Sequence, residues 1–215
     1  QIYERQGYTQ KDAAKSIIEN NLYGLDIDER AAQLTYFSVM MKARQYDRRF
    51  LSHKVQPHVY AITESNHLDP FCVEYFVNGN AKLKMEMQTL INDMDDAKEY
   101  GSILNITNVD FDAMYARFDE IKDEASIYLE IVFNDLLPFI QAAQAMAQKY
   151  DVVVTNPPYM GSSGMGSNLL EYVKENYPDT KSDLFSCFIE KGFSFAKSTG
   201  FVAMITMESW MFLSI

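Results

Sequence analysis

A short β-branched run, Asp151-Val152-Val153-Val154-Thr155, leads straight into Asn156-Pro157-Pro158-Tyr159. No other stretch restricts the fold as strongly. The run is brief and apolar on both faces, the pattern of a central strand in a parallel sheet. Proline has no N–H for the ladder, so the chain must leave the sheet after Asn156. Sites in parallel sheets lie beyond the carboxyl ends of the strands, which places the Asn156 side chain in a cleft. Pro157 keeps a carbonyl, and its ring holds that carbonyl stiffly. Asn156 Oδ1 and the Pro157 carbonyl are then two convergent acceptors suited to a planar –NH2 group. Such a nitrogen is a poor nucleophile because its lone pair is delocalised. Accepting from both of its hydrogens favours the tetrahedral form and aims the lone pair at an electrophile. Tyr159 adds a flat surface on which an extracted base can stack.

The rest of the chain alternates strand and helix patterns. Thr9 with Asp12 resembles a capping box ahead of Ala13, Ala14, Ile17 and Ile18 at helical spacing. Leu22 to Ile27 reads as a buried strand. Asp28 caps a helix to about Phe50, with Ala31, Leu34, Phe37, Val39 and Met41 on or near one face. Val59 to Thr63 is a second strand. Residues 64–84 read as irregular, with Asp69-Pro70 and Asn78-Gly79-Asn80 as turn signals. Acidic amphipathic helices follow over 85–99 and 111–135, with a kink or restart at Pro138. A polar, Gly-rich stretch from Met160 to Ser167 follows Tyr159, and Ser182 caps a further helix. Gly200 to Thr206 is one more buried strand. The sum is an α/β fold with a mainly parallel sheet.

Composition narrows the chemistry. The 215 residues carry 30 acidic and 19 basic side chains, a net charge of -11. A surface of that sign does not wrap a phosphate backbone by itself, because phosphates need Lys and Arg. Much of the charge falls on the two helices after residue 84, the solvated faces of amphipathic elements. Cys72 and Cys187 are far apart and form no CxxC pair, so they read as buried thiols of a reducing cytoplasm. His53, His58 and His67 lack metal-ligand spacing. No apolar run is long enough to span a membrane. Gln1-Ile2-Tyr3 has neither an initiator Met nor a signal peptide, and the last residues stop inside an apolar run. Both ends read as cut.

Asn156-Pro157-Pro158-Tyr159 after an apolar strand resembles the signature of S-adenosylmethionine-dependent amino-methyltransferases, above all the N6-adenine DNA enzymes. The longer string N-P-P-Y-M-G-S-S-G-M-G is similar to the large adenine-specific methylases of phage-exclusion (BREX, PglX-like) and restriction-modification systems. The resemblance implies a partial Rossmann-like methyltransferase fold over residues 1–215, with a mostly helical insertion at about 64–100. The first strand with its Gly-rich loop, the C-terminal part and the target-recognition domain would be absent. It implies Asn156, Pro157, Pro158 and Tyr159 as the catalytic loop. It gives Asp26 to the cofactor ribose and Ile27 to the adenine, with Ser102 and Asp183 as further cofactor-binding positions. Ser102 stands where Asp is common. The implied cofactor is S-adenosylmethionine and the implied substrate is double-stranded DNA, held mainly by regions beyond this chain. Other subunits of a defence system are possible partners; no membrane is implied, and the setting is the bacterial cytoplasm.

Two rival readings follow from the same residues. A glutamine-amide or rRNA amino-methyltransferase uses N-P-P-Y for the same nitrogen chemistry. A non-catalytic scaffold subunit of a defence complex would keep the fold alone. Neither Cys is placed to form a covalent adduct, which argues against cytosine C5 chemistry.

Overall fold

The computed structural model describes residues 1–208. Helices α1 (Ile2–Arg5) and α2 (Gln10–Asn20) lead into strand β1 (Tyr23–Asp26). Thr9 caps α2 by accepting from Asp12 N at 3.2 Å, as the spacing predicts. Helix α3 (Glu29–Tyr46) begins at Asp28, whose carboxylate accepts from Arg30 N and Ala31 N. It returns the chain to β2 (His58–Ala61), which pairs parallel with β1 from Tyr23↔His58 to Asp26↔Ala61. Parallel strands need such a crossover. The face assigned to α3 is different in the structure. Leu34 and Phe37 are exposed, and Ala32 and Ala43 are buried instead. The helix turns its small residues inward, and these allow close packing against the strands.

The region read as irregular is helical. Asp69 caps α4 (Pro70–Val77) and Pro70 sits at its start, where the missing N–H costs nothing. Asn78 ends it in the left-handed conformation, and Asn80 caps α5 (Ala81–Asp93). The two turn signals are thus helix boundaries. The helix expected over 85–99 stops at Asp93, and Asp96 is left-handed before the short α6 (Ala97–Tyr100). The helix expected over 111–135 is divided as well. Helix α7 (Phe111–Ile121) ends, Ser126 caps α8 (Ile127–Ile131), and a π-helical turn over Val132–Leu136 leads into α9 (Leu137–Ala147). Pro138 lies in the first turn of α9 and starts it rather than kinking it. These helices enclose the largest core, around Phe76, Met87, Leu90, Met114, Ile121, Phe139 and Ile140, each at most 1% exposed.

The second unit is β3 (Tyr150–Thr155), α10 (Ser167–Asn176), α11 (Leu184–Phe195) and β4 (Ala196–Met204). Strands β3 and β4 pair parallel, from Val152↔Phe201 to Thr155↔Met204, after a register shift. Gly200 sits at that shift, where a Cβ would come within 3.0 Å of the Tyr150 and Asp151 carbonyl oxygens. Helix α11 covers one face of this pair so closely that a Cβ on Gly192 would meet the side chains of Val202 and Met204. The opposite face stays open, with Val152 57%, Val154 73% and Phe201 72% exposed. The expectation that β3 is buried on both faces is therefore not met among the described residues: its covered face is half-buried and the other is exposed. Among the same residues the two parallel pairs form separate sheets, so the architecture is a mixed helix–strand fold with small parallel sheets.

Candidate functional site

The first residues of β1 and β3 touch, with the Tyr23 and Tyr150 rings 5.4 Å apart at 63°. The two strands then run along opposite sides of a cleft of about 230 Å³. Consecutive residues from each line it, Tyr23 to Leu25 and Val152 to Thr155. Alternating side chains would line a face; consecutive ones line an edge. The cleft therefore separates two strand edges that have no ladder partner among the described residues. Asp26 follows directly on Leu25 at one side of the cleft, and Asn156 directly on Thr155 at the other.

At the β3 end, Pro157 is buried and Asn156 is exposed. The Asn156 amide makes no side-chain hydrogen bond among the described residues, so both of its polar atoms are available. Tyr159 is anchored at its far end: its hydroxyl donates to the Ile205 carbonyl at 2.8 Å. Its ring meets Phe185 edge-on, with centroids 6.0 Å apart at 64°, and stays 48% exposed. An anchored ring with an open surface is a rigid stacking platform.

Asp183 carries its contacts on this side of the site. Its Oδ1 accepts from Met160 N at 3.2 Å and from Phe185 N at 3.1 Å. The same oxygen thus caps α11 and holds the residue after Tyr159; the cap is Asp183, not Ser182 as expected. Leu184 N also donates to the Met160 carbonyl, and Ser162 N to the Ser182 carbonyl. The N-P-P-Y loop is stitched to the helix entrance.

At the β1 end, Asp26 Oδ1 accepts from Asp28 N at 2.8 Å. Its second oxygen makes no bond among the described residues. Ile27 is 48% exposed, and its Cδ1 lies 3.9 Å from where a Cβ on Gly101 would stand. Gly101 has φ +63°, a conformation that favours glycine, and it turns the chain so that Ser102 lines the cleft. The structure therefore brings Ile27, Gly101 and Ser102 together beside Asp26. Sequence reasoning missed Thr63, two residues past the partner of Asp26 in β2. Its Oγ1 is buried with no hydrogen-bond partner among the described residues. An orphaned hydroxyl costs about 1–3 kcal/mol, so this one calls for a partner. A free carboxylate oxygen, an unpaired hydroxyl and an open apolar side chain fit a ribose and an adenine, and so fit S-adenosylmethionine.

Cys72 and Cys187 are both buried, and burial pushes the Cys187 thiol up to about 11. His53 meets Asp47 at 2.8 Å, and His58 stacks on Tyr23. Among the described residues no group of His, Cys, Asp and Glu is arranged to hold a metal. No helix there is long and apolar enough to cross a membrane.

Parallel strands whose carboxyl ends carry an N-P-P-Y loop and a free carboxylate are compatible with one class, the α/β proteins of methyltransferase type. Residues 20–215 match the family model described as Eco57I restriction-modification methylase, and the chain belongs to that family. It is 39% identical over 238 residues to the adenine-specific methyltransferase BrxX of Escherichia coli O9:H4 (strain HS). It is 34% identical over 220 residues to the adenine-specific methyltransferase PglX of Lacticaseibacillus casei (strain Zhang). These alignments take in 99% and 100% of this chain. They take in 20% and 18% of the relatives, so the chain spans about a fifth of their length.

Proposed function

We propose that this chain is the catalytic-loop and half-cofactor portion of an N6-adenine DNA methyltransferase of a phage-exclusion or restriction-modification system. The observation that carries this is the exposed, unengaged Asn156 amide at a strand end, beside an anchored Tyr159 and across a cleft from Asp26. The names of the two relatives support adenine as the target. S-adenosylmethionine supplies, when bound, an electrophilic methyl group on a sulfonium centre. Asp26 and Thr63 are the residues to hold its ribose, with Ile27 and Ser102 on its adenine.

The substrate base leaves the duplex and stacks on Tyr159. Asn156 Oδ1 and the Pro157 carbonyl accept from the two N6 hydrogens and localise the nitrogen lone pair. When the nitrogen takes the methyl group, leaving the donor as its neutral thioether, the N6 proton would pass to water. No thiol takes part; both are buried and held protonated.

The two facing strand edges support a further part of the reading. One more parallel strand between β1 and β3 would join both sheets into the single Rossmann-like sheet. We assign that place to the first strand, whose Gly-rich loop would hold the rest of the cofactor. The basic surface that DNA requires belongs to the remaining length found in the relatives. The test is to incubate the full-length protein with labelled S-adenosylmethionine and either duplex DNA or a peptide release factor. Label in DNA, as N6-methyladenine, is expected. Label in a glutamine of the release factor would replace the substrate assignment.

A further inference from the structure

We propose that Lys191 is a positioning residue for the cofactor half of the site, tying the segment after Ser102 to the helix that clamps the N-P-P-Y loop. This rests on the methyltransferase reading above.

Lys191 lies on α11 and is 4% exposed. Its ammonium group donates to the Leu104 carbonyl at 2.5 Å and to Asn105 Oδ1 at 3.0 Å. It also stands 4.6 Å from the Phe195 ring centroid. None of the ion pairs among the described residues includes it. A buried cation without a carboxylate is costly, and Met or Leu would fill the same space. What a lysine adds here is donors, and both oxygens it meets lie on one short segment.

That segment has little structure of its own. Leu104 N turns back to the Gly101 carbonyl at 3.3 Å. Otherwise residues 103–105 are held by side chains. Tyr177 Oη donates to the Ile103 carbonyl at 2.5 Å, and Asn105 N donates to Tyr172 Oη at 3.0 Å. Lys191 supplies the remaining hold, immediately after Ser102 and Gly101, which sit against Ile27. One helix thus carries both clamps: Asp183 on the catalytic loop at its first turn, and Lys191 on the cofactor segment two turns later. A shift of α11 moves both halves together.

Lys191 also titrates nearer neutrality than an ordinary lysine. Burial lowers it to about 8, helped by the cation of Lys149, which donates to the Ser194 carbonyl. Around it, Tyr150 is pushed up to about 12 and Cys187 to about 11, and Tyr172 and Tyr177 are raised by burial. Glu190, the adjacent residue, is engaged by Thr180 at 2.8 Å. As pH rises through about 8 the ammonium becomes an amine with weaker donors, so its hold on Leu104 and Asn105 loosens even as the burial penalty on the charge is relieved.

The experiment measures S-adenosylhomocysteine affinity by calorimetry on the full-length protein from pH 6.5 to 9.5. Wild type, K191R and K191M are compared. The wild type is expected to lose affinity across a step near pH 8, beyond any slope from the ligand's own amine. K191M should bind roughly tenfold more weakly at pH 7 and show only the ligand's slope. K191R, charged throughout, should bind well and lack the step. If K191M does not fold, K191R decides: a wild-type step retained in K191R overturns the proposal. So does K191M with wild-type affinity and profile. Failure of the wild type to bind at any pH would overturn the methyltransferase reading and this inference with it.

Discussion

Replacing Asp183 by Ala removes one oxygen that serves two backbone N–H groups, Met160 N in the loop after Tyr159 and Phe185 N at the start of α11. Loss of an N-cap costs about 1 kcal/mol. The second bond is charge-assisted but half-exposed, which puts it near the low end of the range, about 1.5 kcal/mol. Stability of the second unit should therefore fall by about 2–3 kcal/mol, read from urea unfolding of the full-length protein. The loop's share is the part that reaches the chemistry. If about 1.5 kcal/mol of loop ordering is lost, kcat falls roughly tenfold while cofactor affinity stays within about twofold. Asp183→Asn keeps an acceptor at the same place and should restore most of both quantities. An Ala variant with wild-type kcat and stability would refute this account of the loop. An Asn variant as damaged as Ala would show that the carboxylate charge acts on a ligand directly, which the contacts of Asp183 do not provide for.

Thr63→Val should leave the protein as stable as the wild type or about 1 kcal/mol more so, because it removes an orphaned hydroxyl, yet weaken S-adenosylhomocysteine binding. Equal binding by the variant would remove Thr63 from the site. Lys191 has a folded pKa of about 8 against its ordinary 10.5, so the unfolded chain binds more protons between those values. Its contribution to stability is therefore lowest below pH 8 and rises as pH climbs toward 10.5, by about 3 kcal/mol in all. The stability difference between wild type and K191M should follow that rise; a flat difference contradicts it. Gly200→Ala should destabilise the β3–β4 pair by about 1–3 kcal/mol, since its Cβ meets backbone oxygens that cannot move aside. Unfolding midpoints unchanged by this substitution would show that the register shift relaxes freely.

Much of the candidate site was legible because it rests on residues with strong backbone consequences. Two prolines after a β-branched run force the strand to end at Asn156, whatever surrounds it. Asp26 and Asp28 mark the end of β1 and the start of α3 for similarly local reasons. The misreadings come from contacts that are not local. Asp69-Pro70 has the same chemistry as a turn and as a helix start, and packing of Cys72, Phe76 and Val77 into the core decides for the helix. Helix α10 begins at a glycine without a side-chain cap, so it gave no signal. Ser126 interrupts the long acidic helix because its side chain caps Tyr128 N, which periodicity alone does not weigh. Thr63 was invisible because its distinction is an absent partner. Lys191 did leave a trace: Leu184, Cys187, Phe188, Lys191 and Phe195 form one stripe at helical spacing. A lone lysine on such a stripe is a buried amine in search of carbonyl partners.

The central claim is that Asn156 presents acceptors to the amino group of a flipped adenine. Its most direct test is N6-methyladenine formation in duplex DNA by the full-length wild type and by Asn156→Ala, with cofactor affinity measured on the same preparations. The account predicts that the variant loses methylation by at least about a hundredfold and binds S-adenosylhomocysteine as the wild type does. An Asn156→Ala protein that still forms N6-methyladenine at the wild-type rate would contradict it.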